Sequence, residues 1–183
     1  PPIFDLTRHD GYYRKHEAEI SCINEQIRHM TASELEPARE QLAGARKKME
    51  EEIAVLRAMK HDTVAGSQFR NAEIKRAKDR WKTEISRLEA GLNEVQTRIN
   101  TLKKDRSRRS DELQRWIFGQ YMVCNAEGVE ASILEIFNEK GLMPPGGTGD
   151  CAAPKLLNHA YRNGMTPLAM GEFWYGRSPS TAV

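Results

Sequence analysis

Apolar side chains recur along the first half of the chain at spacings that suit helices. Trp81, Ile85, Leu88, Leu92, Val95, Ile99 and Leu102 follow one another at gaps of four and three, the seam of a coiled coil. Ile74 lies in the same frame. Leu113 and Trp116 extend it, although Arg106 and Arg109 fill the two intervening seam positions. Before it, Ile20, Ile23, Ile27 and Met30 form one short stripe. Leu35, Leu42, Met49 and Leu56 then return every seventh residue, with Ala38, Ala45 and Ile53 between them. The step from Met30 to Leu35 breaks the frame, and Pro37 lies beside it. Proline suits a helix's first turn, and Ser33 with Glu36 has capping-box spacing. A kink or short break is expected near 31–37.

Between the two stripes, His61 to Ser67 has turn composition. So short a connection makes its neighbours antiparallel. Residues 1–110 therefore predict an antiparallel coiled-coil hairpin, and residues 111–183 a small α+β module. In that module Ile117 to Cys124 is rich in aromatic and β-branched residues, which predicts a strand. Asn125-Ala126-Glu127-Gly128 predicts a hairpin turn, and Val129–Leu134 a second strand or short turn. Pro144 to Gly149 predicts a loop, and Ala152 to Asn163 a helix capped by Asp150, with Pro154 in its first turn and Gly164 ending it. Thr166–Tyr175 predicts a last strand. The fold class is mainly α with a small α+β module, ordered β-β-α-β.

Charge adds a direction to this picture. Residues 1–110 carry 23 Lys and Arg against 18 Asp and Glu, whereas residues 111–183 carry 5 against 8. A basic arm on a mildly acidic module hints at nucleic-acid contact. Arg98, Lys103, Lys104, Arg106, Arg108 and Arg109 gather near the arm's base and are the RNA-binding candidates. Arg70, Lys75, Arg76, Lys78, Arg80 and Lys82 cover the part nearer the tip. The bland reading of both groups is a solvated face. At 30% charged and a mean hydropathy of −0.68, the chain is too polar for one globule of 183 residues and suits long solvated helices. No apolar run is long enough to span a membrane. Cys22, Cys124 and Cys151 form no C-x-x-C and no disulfide framework, which points to a cytoplasmic protein. The opening Pro1-Pro2-Ile3-Phe4 and the close at Val183 read as the ends of a piece of something longer.

The stretch Gly146-Gly147-Thr148-Gly149-Asp150-Cys151-Ala152-Ala153-Pro154-Lys155 is the most suggestive chemically. As a phosphate loop it lacks the Gly-Lys-Ser/Thr ending. As a dinucleotide loop it fits G-x-G-x-x-A, but Pro144-Pro145 precedes it instead of a strand. A hairpin, a helix opening on Cys151-Ala152 and a further strand resemble the front half of zinc-dependent nucleoside and base deaminases. Ala153, however, stands where their proton-shuttling Glu belongs, and no Pro-Cys-x-x-Cys follows. The layer is thus deaminase-like at most, without the chemistry. His9-Asp10, Arg8-x-Asp10 and His61-Asp62 are short-range pairs in loop or cap positions, and Asp10 reads as the first helix's cap. His159 is expected on its helix's surface. No catalytic set, metal site or cofactor site follows from spacing.

Three stretches carry a resemblance to a family. They are Leu113 to Phe118, Cys124 to Gly128, and Gly149 to Leu157 continued through Pro167 to Gly176. Together they resemble the accessory region ahead of the catalytic domain in long bacterial pseudouridine synthases of the RluA type. The resemblance covers most of the chain and is most specific over 110–179. It implies a coiled-coil arm and a small α+β module that engage RNA, ribosomal or pre-ribosomal, or position the parent's catalytic domain. The family's His-Arg-Leu-Asp signature is absent, and Arg8-His9-Asp10-Gly11 does not replace it, so no catalytic residue carries over. A coiled-coil module for protein interaction or self-association is the competing expectation.

Overall fold

The computed structural model describes residues 11–60, 63–173 and 176. The chain divides into two units, one of Glu19–Arg108 and one of Pro1–Ala18 with Arg109–Val183. Helix α1 spans Tyr12–Met30, α2 Glu36–Ala58 and α3 Val64–Gln120. Strands β1 (Met122–Cys124) and β2 (Glu130–Ser132) follow, then α4 (Ile133–Asn138) and α5 (Ala152–Arg162).

In the first unit α2 and α3 lie antiparallel. Glu52 meets Arg80 and Trp81, Arg46 meets Glu89, and Glu34 meets Arg98, so the partners run in opposite senses along the chain. The apolar seam is the one the spacing predicts: Ile23, Leu35, Leu42, Ala45, Ile53 and Ile99 are buried, and the remaining seam residues are half-buried. Ala77, at 1% exposed, joins them one turn before Trp81.

The frame break near residues 31–37 is resolved without a break in the helix. Thr31–Leu35 is a single π-helical turn running directly into α2. A wider turn accommodates one extra residue. That is what a step of five between Met30 and Leu35 requires, and both Ile23 and Leu35 end up buried. The expected capping box does not form, because no helix starts here. Ser33 is inside the helix, and its hydroxyl donates to the His29 carbonyl at 2.8 Å. Pro37 still occupies the first turn of α2.

The turn between the long helices is shorter than its composition suggests. Met59 leaves α2 with extended backbone, and α3 begins at Val64, so Val64 to Ser67 are helical. The Gly66 N–H donates to Thr63 Oγ1 at 3.1 Å, as at a capped helix start. His61 and Asp62 lie outside the described residues, as do His9 and Asp10.

The second unit departs further from expectation. Ile117 to Gln120 are not strand but the last turn of α3. Leu113, Ile117 and Tyr121 recur four apart, and Phe118, 2% exposed, packs with Tyr121 and Ile133 to form the core. Packing of that face overrides the β preference of its residues. β1 is therefore short, and it pairs antiparallel with β2 in the register Met122 to Ser132. Asn125–Gly128 is the expected turn, with Gly128 at φ +79° and the Asn125 side chain accepting the Glu127 and Val129 N–H groups. The second strand stops at Ser132, which caps α4 with Glu135 in a reciprocal capping box.

Helix α5 forms where expected, and Gly164 ends it at φ +66°. The Met165 N–H donates to the Ala160 carbonyl at 2.9 Å and the Gly164 N–H to Tyr161 at 3.1 Å, the double closure of a left-handed C-terminal cap. Its start differs. Cys151 holds the cap position with no side-chain cap, and Asp150 instead accepts from the Tyr121 hydroxyl at 3.1 Å.

The third strand of the expected β-β-α-β order is not formed among the described residues, where the sheet has two strands. Residues 165–173 have no regular structure, and Leu168 is 95% exposed. The reason lies at β1's outer edge. There the Cys124 N–H donates to Asn158 Oδ1 at 2.9 Å, and Arg162 Nη2 donates to the Met122 carbonyl at 3.4 Å. Side chains of α5 hold the groups a third strand would need. Trp174 and Tyr175 lie outside the described residues.

Candidate nucleic-acid interface

The six basic candidates at the arm's base do not share one face. On α3 only positions three or four apart are neighbours. Lys104 and Arg108 point together, Lys103 and Arg106 form a second row, and Arg98 flanks the seam. Arg98 is committed to Glu34 at 2.8 Å and Arg108 to Asp105 at 2.6 Å. Arg106 donates to Asn24 Oδ1 at 3.5 Å. Arg109 is half-buried and belongs to the other unit. Lys103 and Lys104 are exposed and form no ion pair among the described residues.

The group nearer the tip divides the same way. Arg76 pairs with Glu73, and Arg80 with Glu52 at 2.6 Å. Arg70 donates to the Met59 carbonyl at 3.1 Å, fastening the end of α2 to the start of α3. Lys75, Lys78 and Lys82 are exposed and unpaired among the described residues, and their spacing of three and four sets them on one face. Further along, Arg87 grips Glu84 with two hydrogen bonds of 2.7 and 3.0 Å. These hold the Glu84 carboxyl below its ordinary range and raise the Arg87 guanidinium further. Exposed pairs contribute little to stability, about 0 to 1 kcal/mol each. Their consequence is electrical: a paired arginine presents almost no net charge to a passing anion, whereas an open lysine presents all of it.

The second unit offers a different surface. A cavity of about 360 Å³ opens between α5, through Ala153, Leu157 and Tyr161, and the hairpin side, through Val123, Cys124 and Ile133. Its walls are almost wholly apolar. The Gly146–Asp150 loop closes one end and serves packing. Its Thr148 and Asp150 N–H groups are turned inward onto the Pro145 and Gly147 carbonyls, which leaves them unable to cradle a phosphate. Gly149, at φ +90°, lies so close to Ile133 and Tyr121 that a Cβ would meet Ile133 Cδ1 at 2.4 Å. Burial, and then the hydrogen bond to Asp150, push the Tyr121 hydroxyl above its ordinary pKa. Lys155 Nζ stands 3.8 Å from the same Asp150 carboxylate.

Cys151 is exposed at the start of α5, and all three cysteines carry free thiols. Among the described residues no group of three or more His, Cys, Asp or Glu could hold a metal ion, and no helix is long and apolar enough to cross a membrane. His159 is exposed, as expected. Sequence reasoning missed Asn158, which is 8% exposed and satisfies the edge of β1. Its only signal was an amide on the inner face of an otherwise apolar helical turn. Compared with known proteins, the chain matches no family model, no curated protein and no solved structure.

Proposed function

We propose that this chain is a non-catalytic accessory region of a cytoplasmic RluA-type RNA pseudouridine synthase, engaging RNA through its helical arm or positioning the catalytic domain. The observation that carries the RNA reading is the set of exposed lysines along α3 without an ion pair among the described residues, Lys103 and Lys104 included, on an arm whose arginines are mostly committed to carboxylates. Open ammonium groups displace counterions from phosphates, which is the main source of sequence-independent affinity. The resemblance of Leu113 to Phe118, Cys124 to Gly128 and Gly149 to Gly176 supplies the family. The test is binding to labelled ribosomal RNA pieces at about 50 and about 200 mM salt. Several phosphate contacts produce a steep loss of affinity between those conditions, and Lys103→Glu with Lys104→Glu weakens binding at the lower salt. No binding at low salt overturns the reading.

One feature favours a second reading, a docking module for protein. Leu168, Met170 and Phe173 stand 95%, 54% and 82% exposed on the irregular segment after α5, more apolar surface than a solitary module ordinarily leaves in water. Light scattering over a wide concentration range tests the self-associating version, and a strictly monomeric chain speaks against it. A degenerate deaminase-like layer, built on the hairpin and the helix opening at Cys151, is the remaining reading of the small module. Stoichiometric zinc in the purified intact parent would instead point to a deaminase-type enzyme.

A further inference from the structure

The lysines of α3 belong to a longer pattern. Starting at Gln68 and stepping three or four residues at a time, one exposed row runs the length of the helix in the first unit. Its positions keep the same rotational setting relative to the seam. Lys75, Lys78, Lys82 and Lys103 lie on it. Between Lys82 and Lys103 the row carries Ser86, Asn93, Gln96 and Asn100, side chains that donate and accept hydrogen bonds without charge. Gln96 and Asn100 already join one another at 3.2 Å. The row's single acid, Glu89, is neutralised by Arg46 at 2.7 Å. Asp79 flanks the row beside Lys75 and Lys82 and forms no ion pair with either.

The opposite flank of α3 contrasts with this row. It holds Glu73, Arg76, Arg80, Glu84, Arg87, Glu94 and Arg98, and all but Glu94 are ion-paired among the described residues, either along α3 or across to α2. The arm is therefore sorted. Arginines with carboxylate partners occupy one side, and open lysines interspersed with amides and hydroxyls occupy the other, with Lys104 standing between the two on the outer face. Solubility alone needs no such sorting, since mixed charge on both flanks serves it equally well.

From this arrangement we infer that the lysine and amide row of α3 is the RNA-contacting face, holding a single RNA strand lengthwise along the arm. Lys75, Lys78 and Lys82 cover about 10 Å of helix axis at about 1.5 Å per residue. Spread along the axis in this way, the three ammonium groups meet different phosphates of one strand. The amides of the middle stretch meet sugar hydroxyls and phosphate oxygens, contacts that position a strand without reading its sequence. The inference rests on the RNA-engaging reading above and narrows it to one face.

The test compares the unaltered full chain with altered forms by RNA affinity across about 50 to about 200 mM salt, with helicity checked by circular dichroism. The first is the unaltered chain. The second carries Lys75→Gln, Lys78→Gln, Lys82→Gln and Lys103→Gln. The third carries Arg39→Gln, Arg76→Gln, Arg80→Gln and Arg87→Gln, which removes the same formal charge from ion-paired positions. At a slope of about −0.7 per contact for single strands, the lysine form loses about 3 from its salt slope, equivalent to an approximately fifty-fold smaller affinity change over that salt range. The arginine form keeps most of its slope. Replacing Asn93, Gln96 and Asn100 with Ala lowers affinity with the slope unchanged. Equal losses in the lysine and arginine forms, or a lysine form that binds like the unaltered chain, overturn the inference and leave the RNA reading standing. Failure of the unaltered chain to bind at low salt removes both.

Discussion

At the scale of single residues, two positions in the small unit decide how its loop and helices meet. Gly149 and Gly147 both have positive φ, at +90° and +80°, but only Gly149 is crowded. A side chain in left-handed backbone costs about 1 to 2 kcal/mol. Gly147→Ala therefore bears that cost alone. Gly149→Ala bears it together with a clash against Ile133 and Tyr121, and its thermal midpoint should fall clearly further. Equal midpoints would show that the loop does not depend on this close approach. Ser132 and Glu135 form the second such point. The Ser132 N–H and hydroxyl donate to Glu135 Oε2 at 2.7 and 2.8 Å, and the hydroxyl accepts the Glu135 N–H at 3.1 Å. The backbone hydrogen bond first, then the hydroxyl, hold the Glu135 carboxyl below its ordinary range. A depressed carboxyl contributes stability above its unfolded pKa and loses that contribution as pH falls through the folded value. The cap of α4 should therefore survive mild acid and weaken only below the usual carboxylate range. An NMR titration of the Glu135 side chain tests this: Ser132→Ala should move the midpoint upward and cost about 1 kcal/mol. An unmoved midpoint would remove the Ser132 hydroxyl as a cause and leave the backbone N–H, which the variant keeps.

At the scale of elements, the hairpin was legible and the small sheet was not, for a physical reason. A coiled-coil seam is written into the chain by periodicity, so Ile23, Leu42, Ala45, Ile53 and Ile99 fall on the buried face their spacing predicts. Local composition misleads where tertiary packing decides. Ile117 and Phe118 are good strand residues, yet they complete α3 because Phe118 must reach the core with Tyr121 and Ile133. Thr166 to Phe173 alternates like a strand but finds the edge of β1 occupied by Asn158 and Arg162. Asn158→Ala leaves the Cys124 N–H without its partner, at a cost of about 1 to 3 kcal/mol. It also reopens the edge. Hydrogen exchange at Cys124 should accelerate well beyond that of Val123, and unchanged protection would mean another group covers the edge.

For the whole molecule, the charge asymmetry along the chain divides between two kinds of surface. In the unit of Glu19–Arg108 most arginines are ion-paired, and four of the lysines without an ion pair among the described residues, Lys75, Lys78, Lys82 and Lys103, share one side of α3. Counting Lys and Arg together obscured this: of the six candidate positions Arg98 and Arg108 are ion-paired, whereas Lys103 and Lys104 form no ion pair among the described residues. Arg98 could be told from Lys103 only by knowing that Glu34 faces it across the hairpin. The second unit has no such row. It presents instead an apolar cavity and the apolar segment after α5, which no periodicity could have announced, since both arise from how short elements meet.

The π-helical turn at Thr31–Leu35 has a consequence for how the arm tolerates changes of length. It stores one surplus residue in an otherwise continuous rod. Removing Ala32, which is exposed, shortens the step from Met30 to Leu35 to an α-helical four, and every buried position on both sides should keep its facing partner. Removing exposed Ala43 instead puts Ala45 and all later positions of α2 out of phase with α3. The arm should therefore accept a deletion at the first site with little change in midpoint and lose cooperative melting on a deletion at the second. The turn thus marks the place on the arm where length can vary without cost to the seam.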